Sequence, residues 1–111
     1  MDDERARALL RAERVRVQGL LDETAAAGQA DREAANEPGD LHDPAERLTA
    51  EGTDDAVTAG LRVRLAALER AEQRLEAGTF GHSIRSGLPI PDDRLEADPA
   101  AELTVEEARQ A

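Results

Sequence analysis

Cysteine is absent from this 111-residue chain, and with it go disulfides, thiolate metal sites and thiol nucleophiles. Lysine, tyrosine and tryptophan are missing too, which leaves Phe80 as the sole aromatic residue and arginine as the sole source of basic charge. With only His42 and His82 available, a histidine-based metal site is not expected. No apolar run approaches the length of a membrane span, and Met1-Asp2-Asp3-Glu4 puts acid where a secretion signal needs an apolar core, so a cytoplasmic location without membrane contact is expected. Large apolar side chains are scarce: the 40% hydrophobic content includes 22 alanines and only 21 Leu, Ile, Val and Phe residues. A highly charged chain with so few large apolar residues folds only if they are gathered onto one face. Neither a large core with a deep pocket nor an enzyme is therefore expected.

What is abundant is acid. Twenty-five Asp and Glu against 14 basic residues give a net charge of -11, the wrong sign for direct binding to a nucleic-acid backbone, where phosphate neutralisation supplies most of the affinity. The excess is local: residues 31–55 carry nine acids and two arginines, a net of -7. Such a segment reads either as a solvated linker or as the charged end of a larger element, and its flanks decide.

Those flanks are helical in pattern. Ala6, Leu10, Val17, Leu20, Leu21 and Thr24 recur at three-to-four spacing behind the acidic start Asp2-Asp3-Glu4, which suits a helix N-terminus. The helix extends either to Gly28 or to Ala35, before Asn36-Glu37-Pro38-Gly39 stops it. A second helix is marked by Val57, Leu61, Leu65, Leu68 and Leu75, with Leu61, Leu68 and Leu75 seven apart. Its favoured start is Asp43-Pro44-Ala45-Glu46, with Pro at the first helical position, and its end is the left-handed cap position Gly78. Arms over 2–35 and 44–77, each about 51 Å at 1.5 Å per residue, predict an antiparallel hairpin. Near the bend Ala25 to Ala35 would face Ala45, Leu48 and Ala50, a thin seam, so residues 28–52 read either as helix or as disordered loop.

After Gly78 the texture changes to turn formers, Gly78-Thr79-Phe80-Gly81-His82-Ser83-Ile84-Arg85-Ser86-Gly87-Leu88-Pro89-Ile90-Pro91. Gly81-His82-Ser83-Ile84-Arg85 approaches a nucleophile elbow but ends in Arg where that turn needs Gly, so neither Ser83 nor His82 is assigned a catalytic role. Phe80, Leu88, Ile90, Leu95, Leu103 and Val105 are the apolar residues available to order this segment. Thr104-Val105-Glu106-Glu107 is a capping box ahead of a last short helix.

The run Ala66-Ala67-Leu68-Glu69-Arg70 through Leu75-Glu76-Ala77-Gly78-Thr79-Phe80-Gly81, followed by Gly87, Pro89-Ile90-Pro91 and Arg94-Leu95-Glu96-Ala97-Asp98-Pro99, resembles the C-terminal half of the DksA/TraR family. The resemblance is continuous over residues 66–99 and the hairpin upstream agrees with it in kind. It implies an all-α fold: an antiparallel two-helix coiled-coil hairpin over 1–77 with an acidic tip near 36–55, and a small zinc-finger-like module over 78–111 ending in a short helix. It also implies a non-enzymatic transcription regulator whose hairpin enters the secondary channel of RNA polymerase.

Two departures qualify what the resemblance implies. Ser83, Ser86, Thr104 and Glu107 stand where the family has four zinc-binding cysteines, so a degenerate finger without metal or any other cofactor is expected. The family's tip motif, Asp-x-x-Asp-x-Ala, falls on Asp43, Glu46 and Leu48, which keep two acids but replace the small residue with a large one. Asp54-Asp55-Ala56 is a weaker, displaced match. Asp43, Glu46 and Leu48 are the expected partner-binding residues, with RNA polymerase as the expected partner. The reading from another class is an adaptor, a helical hairpin that binds a different protein through its sides around Leu61 and Leu68.

Overall fold

The computed structural model describes the backbone of residues 1–35 and 44–110, and the side chains of 1–28 and 55–110. The architecture is all-α: two long helices, α1 (Asp3–Ala35) and α2 (Pro44–Ala77), then two short ones, α3 (Asp92–Ala97) and α4 (Val105–Arg109), with no strand among the described residues. Helix α1 carries Asp3 and Glu4 in its first turn, where acid complements the positive end of the dipole, and continues through Gly28 to Ala35. Helix α2 begins at Pro44, whose missing amide costs nothing in a first turn, and ends at Ala77, after which Gly78 takes the left-handed conformation (φ 79°). The amides of Gly78 and Thr79 then return to the carbonyls of Leu75 and Arg74. Asp43 lies outside the described residues, as does the rest of 36–43.

The chain divides into two compact units, Met1–Val15 with Leu65–Ala111, and Arg16–Arg64. In the first, the start of α1 runs antiparallel to the end of α2: Ala6 and Leu10 are buried, as are Leu68, Ala71 and Leu75. Arg14 of α1 places Nη1 2.9 Å from Glu72 on α2, with Glu69 at 3.6 Å. A second, smaller core forms from Ile90, Leu95 and Ala101, with Phe80 and Met1 packed against it. The alanines Ala100 and Ala101 are buried there, whereas Leu88 and Val105, expected to help order this segment, are 57% and 39% exposed. Leu88 follows the turn at 84–86 and Val105 opens a helix that buries none of its residues, whereas α3 buries Leu95.

In the second unit Val17 is fully buried, and Leu21, Thr24, Thr58 and Leu61 are half-buried. Two residues of the expected seam depart from it: Leu20 and Val57 are exposed. The covered stripe of α1 passes Ala6, Leu10, Val17, Leu21, Thr24 and Gly28, so Leu20 falls on its flank. On α2 the stripe continues from Leu61 three residues back to Thr58, which leaves Val57 one position outside it. The expected contacts of Ala25 to Ala35 with Ala45, Leu48 and Ala50 involve side chains outside the described residues.

Candidate functional site

The segment after α2 folds into a tight knuckle. Gly81 (φ 83°) and Gly87 (φ 76°) supply left-handed conformations that a side chain would strain. A Cβ on Gly81 would also lie 3.6 Å from Leu95 Cδ1, which is how α3 packs close against the chain. Between the two glycines the Ser83 amide donates to the Leu88 carbonyl (2.8 Å), the Gly87 amide to Ser83 (2.9 Å) and the Ile90 amide to Gly81 (2.7 Å), with His82 and Pro89 forming an isolated antiparallel bridge. The knuckle is tied to the chain before α4 by the Ile84 amide, which donates to the Glu102 carbonyl at 2.9 Å.

Ser83, only 5% exposed, is the one buried polar residue among the described residues. Its Oγ accepts from the amides of Arg85 (3.1 Å) and Ser86 (3.2 Å) and donates its proton to Glu107 Oε2 at 2.9 Å. The other Glu107 oxygen, Oε1, accepts the Thr104 amide at 3.1 Å, while Thr104 Oγ1 accepts the Glu107 amide at 3.2 Å, which completes the capping box. All four positions that the family resemblance assigns to metal ligands, Ser83, Ser86, Thr104 and Glu107, therefore meet in one hydrogen-bonded cluster. Burial works to raise the Glu107 carboxyl, but hydrogen bonds from Thr104, Ser83 and Ser86 outweigh it and hold the group below its ordinary value.

This donor set does not fit zinc. Serine and threonine hydroxyls stay protonated near neutral pH, and thiolate, imidazole or several carboxylates would be needed to bind the ion tightly. The Ser83 and Thr104 oxygens are already engaged with backbone amides, and no group of three or more His, Cys, Asp or Glu that could hold a metal occurs among the described residues.

Charged ties anchor the appendage to the long helices. Arg5 of α1 donates through Nε to Glu96 of α3 at 2.9 Å, and that hydrogen bond lowers the Glu96 carboxyl. Arg70 of α2 meets Glu102 at 2.8 Å. Arg74, one turn later, stands 3.9 Å from the same Glu102 oxygen, and its buried Nη2 has no hydrogen-bond partner, so burial lowers its guanidinium from the ordinary value. Neither the Arg70–Glu102–Arg74 node nor the Ser83–Glu107 bond follows from residue spacing. The i, i+3 spacing of 83/86 and 104/107 pairs residues only within each half of the cluster, and the halves are connected solely by the family resemblance, which implies four ligands around one metal.

Of the expected tip residues, Asp43 lies outside the described residues. Glu46 and Leu48 belong to α2, with side chains outside them. His82 is exposed, with Nδ1 3.3 Å from the Phe80 carbonyl oxygen.

Two long antiparallel helices carrying a small knuckled appendage are the DksA-like fold, and the chain has that fold. In particular, it matches the structure of transcription factor DksA2 from Pseudomonas aeruginosa with a TM-score of 0.81 and 25% identity, over 97% of this chain and 81% of that one. General stress protein 16O of Bacillus subtilis (strain 168) is 43% identical over 54 residues, which cover 49% of this chain and only 33% of that protein. No family model matches the chain. Among the described residues no helix is long and apolar enough to cross a membrane.

Proposed function

We propose that this protein is a DksA-like, non-enzymatic transcription regulator in the cytoplasm that binds RNA polymerase, inserting the acidic end of its helical hairpin into the secondary channel with Asp43, Glu46 and Leu48 leading. The observation that carries this reading is the likeness to transcription factor DksA2 over 97% of the chain. Charge supplies a physical means: a net of -7 over residues 31–55 favours entry into a channel with basic walls. In this reading residues 1–77 insert and residues 78–111 form the appendage that stays at the base. Contact is with protein and needs no direct binding to nucleic acid or membrane.

The test is capture of polymerase by the tagged protein from extract of its own cells, followed by transcription with the purified components. Capture is expected at low salt and weakens as salt rises, because exposed charges are screened beyond about 8 Å at physiological ionic strength. Asp43→Asn with Glu46→Gln removes charge at nearly constant shape and is expected to abolish the transcriptional effect with helicity retained, whereas Arg62→Gln leaves it unchanged. Failure to capture polymerase at low salt refutes the proposal. Partner binding that survives the tip pair but is lost on mutation around Leu61 and Leu68 replaces it with the adaptor reading.

A further inference from the structure

Helix α4 has five residues and buries none of them. A helix that short has no stability of its own in water, and its one large apolar residue, Val105, is 39% exposed, so apolar packing does not hold it. Its attachments are polar and converge on one side chain. Glu107 offers Oε2 to the Ser83 hydroxyl in the knuckle and Oε1 to the Thr104 amide at the helix start. Ser86 in the knuckle also bonds the Glu107 carboxylate, and a long contact of 3.5 Å runs from Arg85 Nη1 to the Glu107 carbonyl.

We infer that Glu107 is a latch: its carboxylate closes α4 onto the knuckle, and releasing it frees α4 while the rest of the unit stays folded. Everything else in the appendage has independent support. Ile90, Leu95 and Ala101 form their own core, Arg94 Nε holds the Leu103 carbonyl at 3.0 Å, and Arg70 holds Glu102. Opening is therefore confined to residues after Leu103. The family resemblance implies a metal gripping both sides at these four positions, which makes the last helix inseparable from the finger. A hydrogen-bonded carboxylate makes the same connection releasable, because its partners exchange readily with water. Release frees the Ser83 hydroxyl proton, while the Ser83 oxygen keeps the amides of Arg85 and Ser86. The inference rests on the finger geometry and is independent of the polymerase reading.

Amide hydrogen exchange on the full chain tests it, comparing the natural protein with Glu107→Ala and Ser83→Ala. Glu107→Ala is expected to speed exchange at Thr104, Ala108 and Gln110 by about tenfold or more, with Leu68 and Leu95 protected as before and with Arg85 and Ser86 still held by Ser83 Oγ. Ser83→Ala is expected to speed exchange at Arg85 and Ser86 and also to loosen Ala108. Unchanged exchange at Ala108 and Gln110 in Glu107→Ala overturns the inference, as does loss of protection that spreads to Leu68. A chelator is expected to leave the natural protein unchanged; release of α4 by chelator alone would mean that a metal closes the finger.

Discussion

Truncating Leu95 to alanine tests whether the small core behind the knuckle holds the appendage to the long helices. Leu95 is 1% exposed and packs with Ile90 and Ala101, and its Cδ1 lies 3.6 Å from the place a Cβ would occupy on Gly81. The change removes three carbons, about 2.4 kcal/mol at roughly 0.8 kcal/mol per methylene, before any cavity is counted. Two of its neighbours, Gly81 and Ala101, have no side chain able to swing into the gap, so the cavity persists and the total is expected at about 3 kcal/mol. An unfolding entropy of about 2.1 cal/mol/K per residue converts this to a fall in Tm of about 13 °C if the whole chain melts together. If the unit of Met1–Val15 with Leu65–Ala111 melts by itself, its smaller entropy enlarges the fall to about 23 °C. Thermal unfolding followed by circular dichroism reads the shift, with Val63→Ala, at a position 69% exposed, as the control. That control is expected to move Tm by no more than about 2 °C, since surface substitutions stay within about 0.5 kcal/mol. A Leu95→Ala shift below about 4 °C, or one no larger than the control, would refute the assignment of Leu95 as the keystone of this core.

Arg74→Met should be neutral or stabilising by up to about 1 kcal/mol in chemical denaturation, because it retains the buried stem and removes a desolvated guanidinium with an unpaired nitrogen; a loss above about 2 kcal/mol would show that the 3.9 Å approach to Glu102 matters more than the burial. Glu96 is held below its ordinary value by Arg5, so the stability it adds is fully present above the unfolded carboxyl value of about 4.3 and is lost as pH falls through the lower folded value. Glu96→Gln should therefore flatten part of the acid limb of a stability–pH curve, and an unchanged limb counts against the tie. The natural protein is expected to contain no stoichiometric zinc by elemental analysis, whereas replacing Ser83, Ser86, Thr104 and Glu107 together by cysteine, two pairs at i, i+3 spacing, should produce one zinc per chain. Zinc in the first, or none in the second, would show that the knuckle does not have the geometry described.

Much of this fold is written in interactions between residues no more than four apart, and those are legible without a structure. Pro44 at the first position of α2, Gly78 in the left-handed conformation after it and the Thr104–Glu107 capping box all depend on the backbone and its immediate neighbours. The three-to-four spacing of Ala6, Leu10 and Val17 likewise marks a buried face whatever it packs against. The phase of the seam is another matter: whether Leu20 or Leu21, Val57 or Thr58 turns inward depends on the facing surface, and spacing alone allows both. Helix α3 gave no signal because its six residues are too few for a period, it lacks a side-chain N-cap, and its one buried anchor, Leu95, acquires meaning only against Ile90 and Ala101. Composition alone ruled out thiolate chemistry. What replaces it, a carboxylate at 107 receiving the hydroxyl of a serine 24 residues earlier, required the two glycine turns and the docking of the chain before α4 to bring those atoms within 2.9 Å, a juxtaposition no local rule encodes.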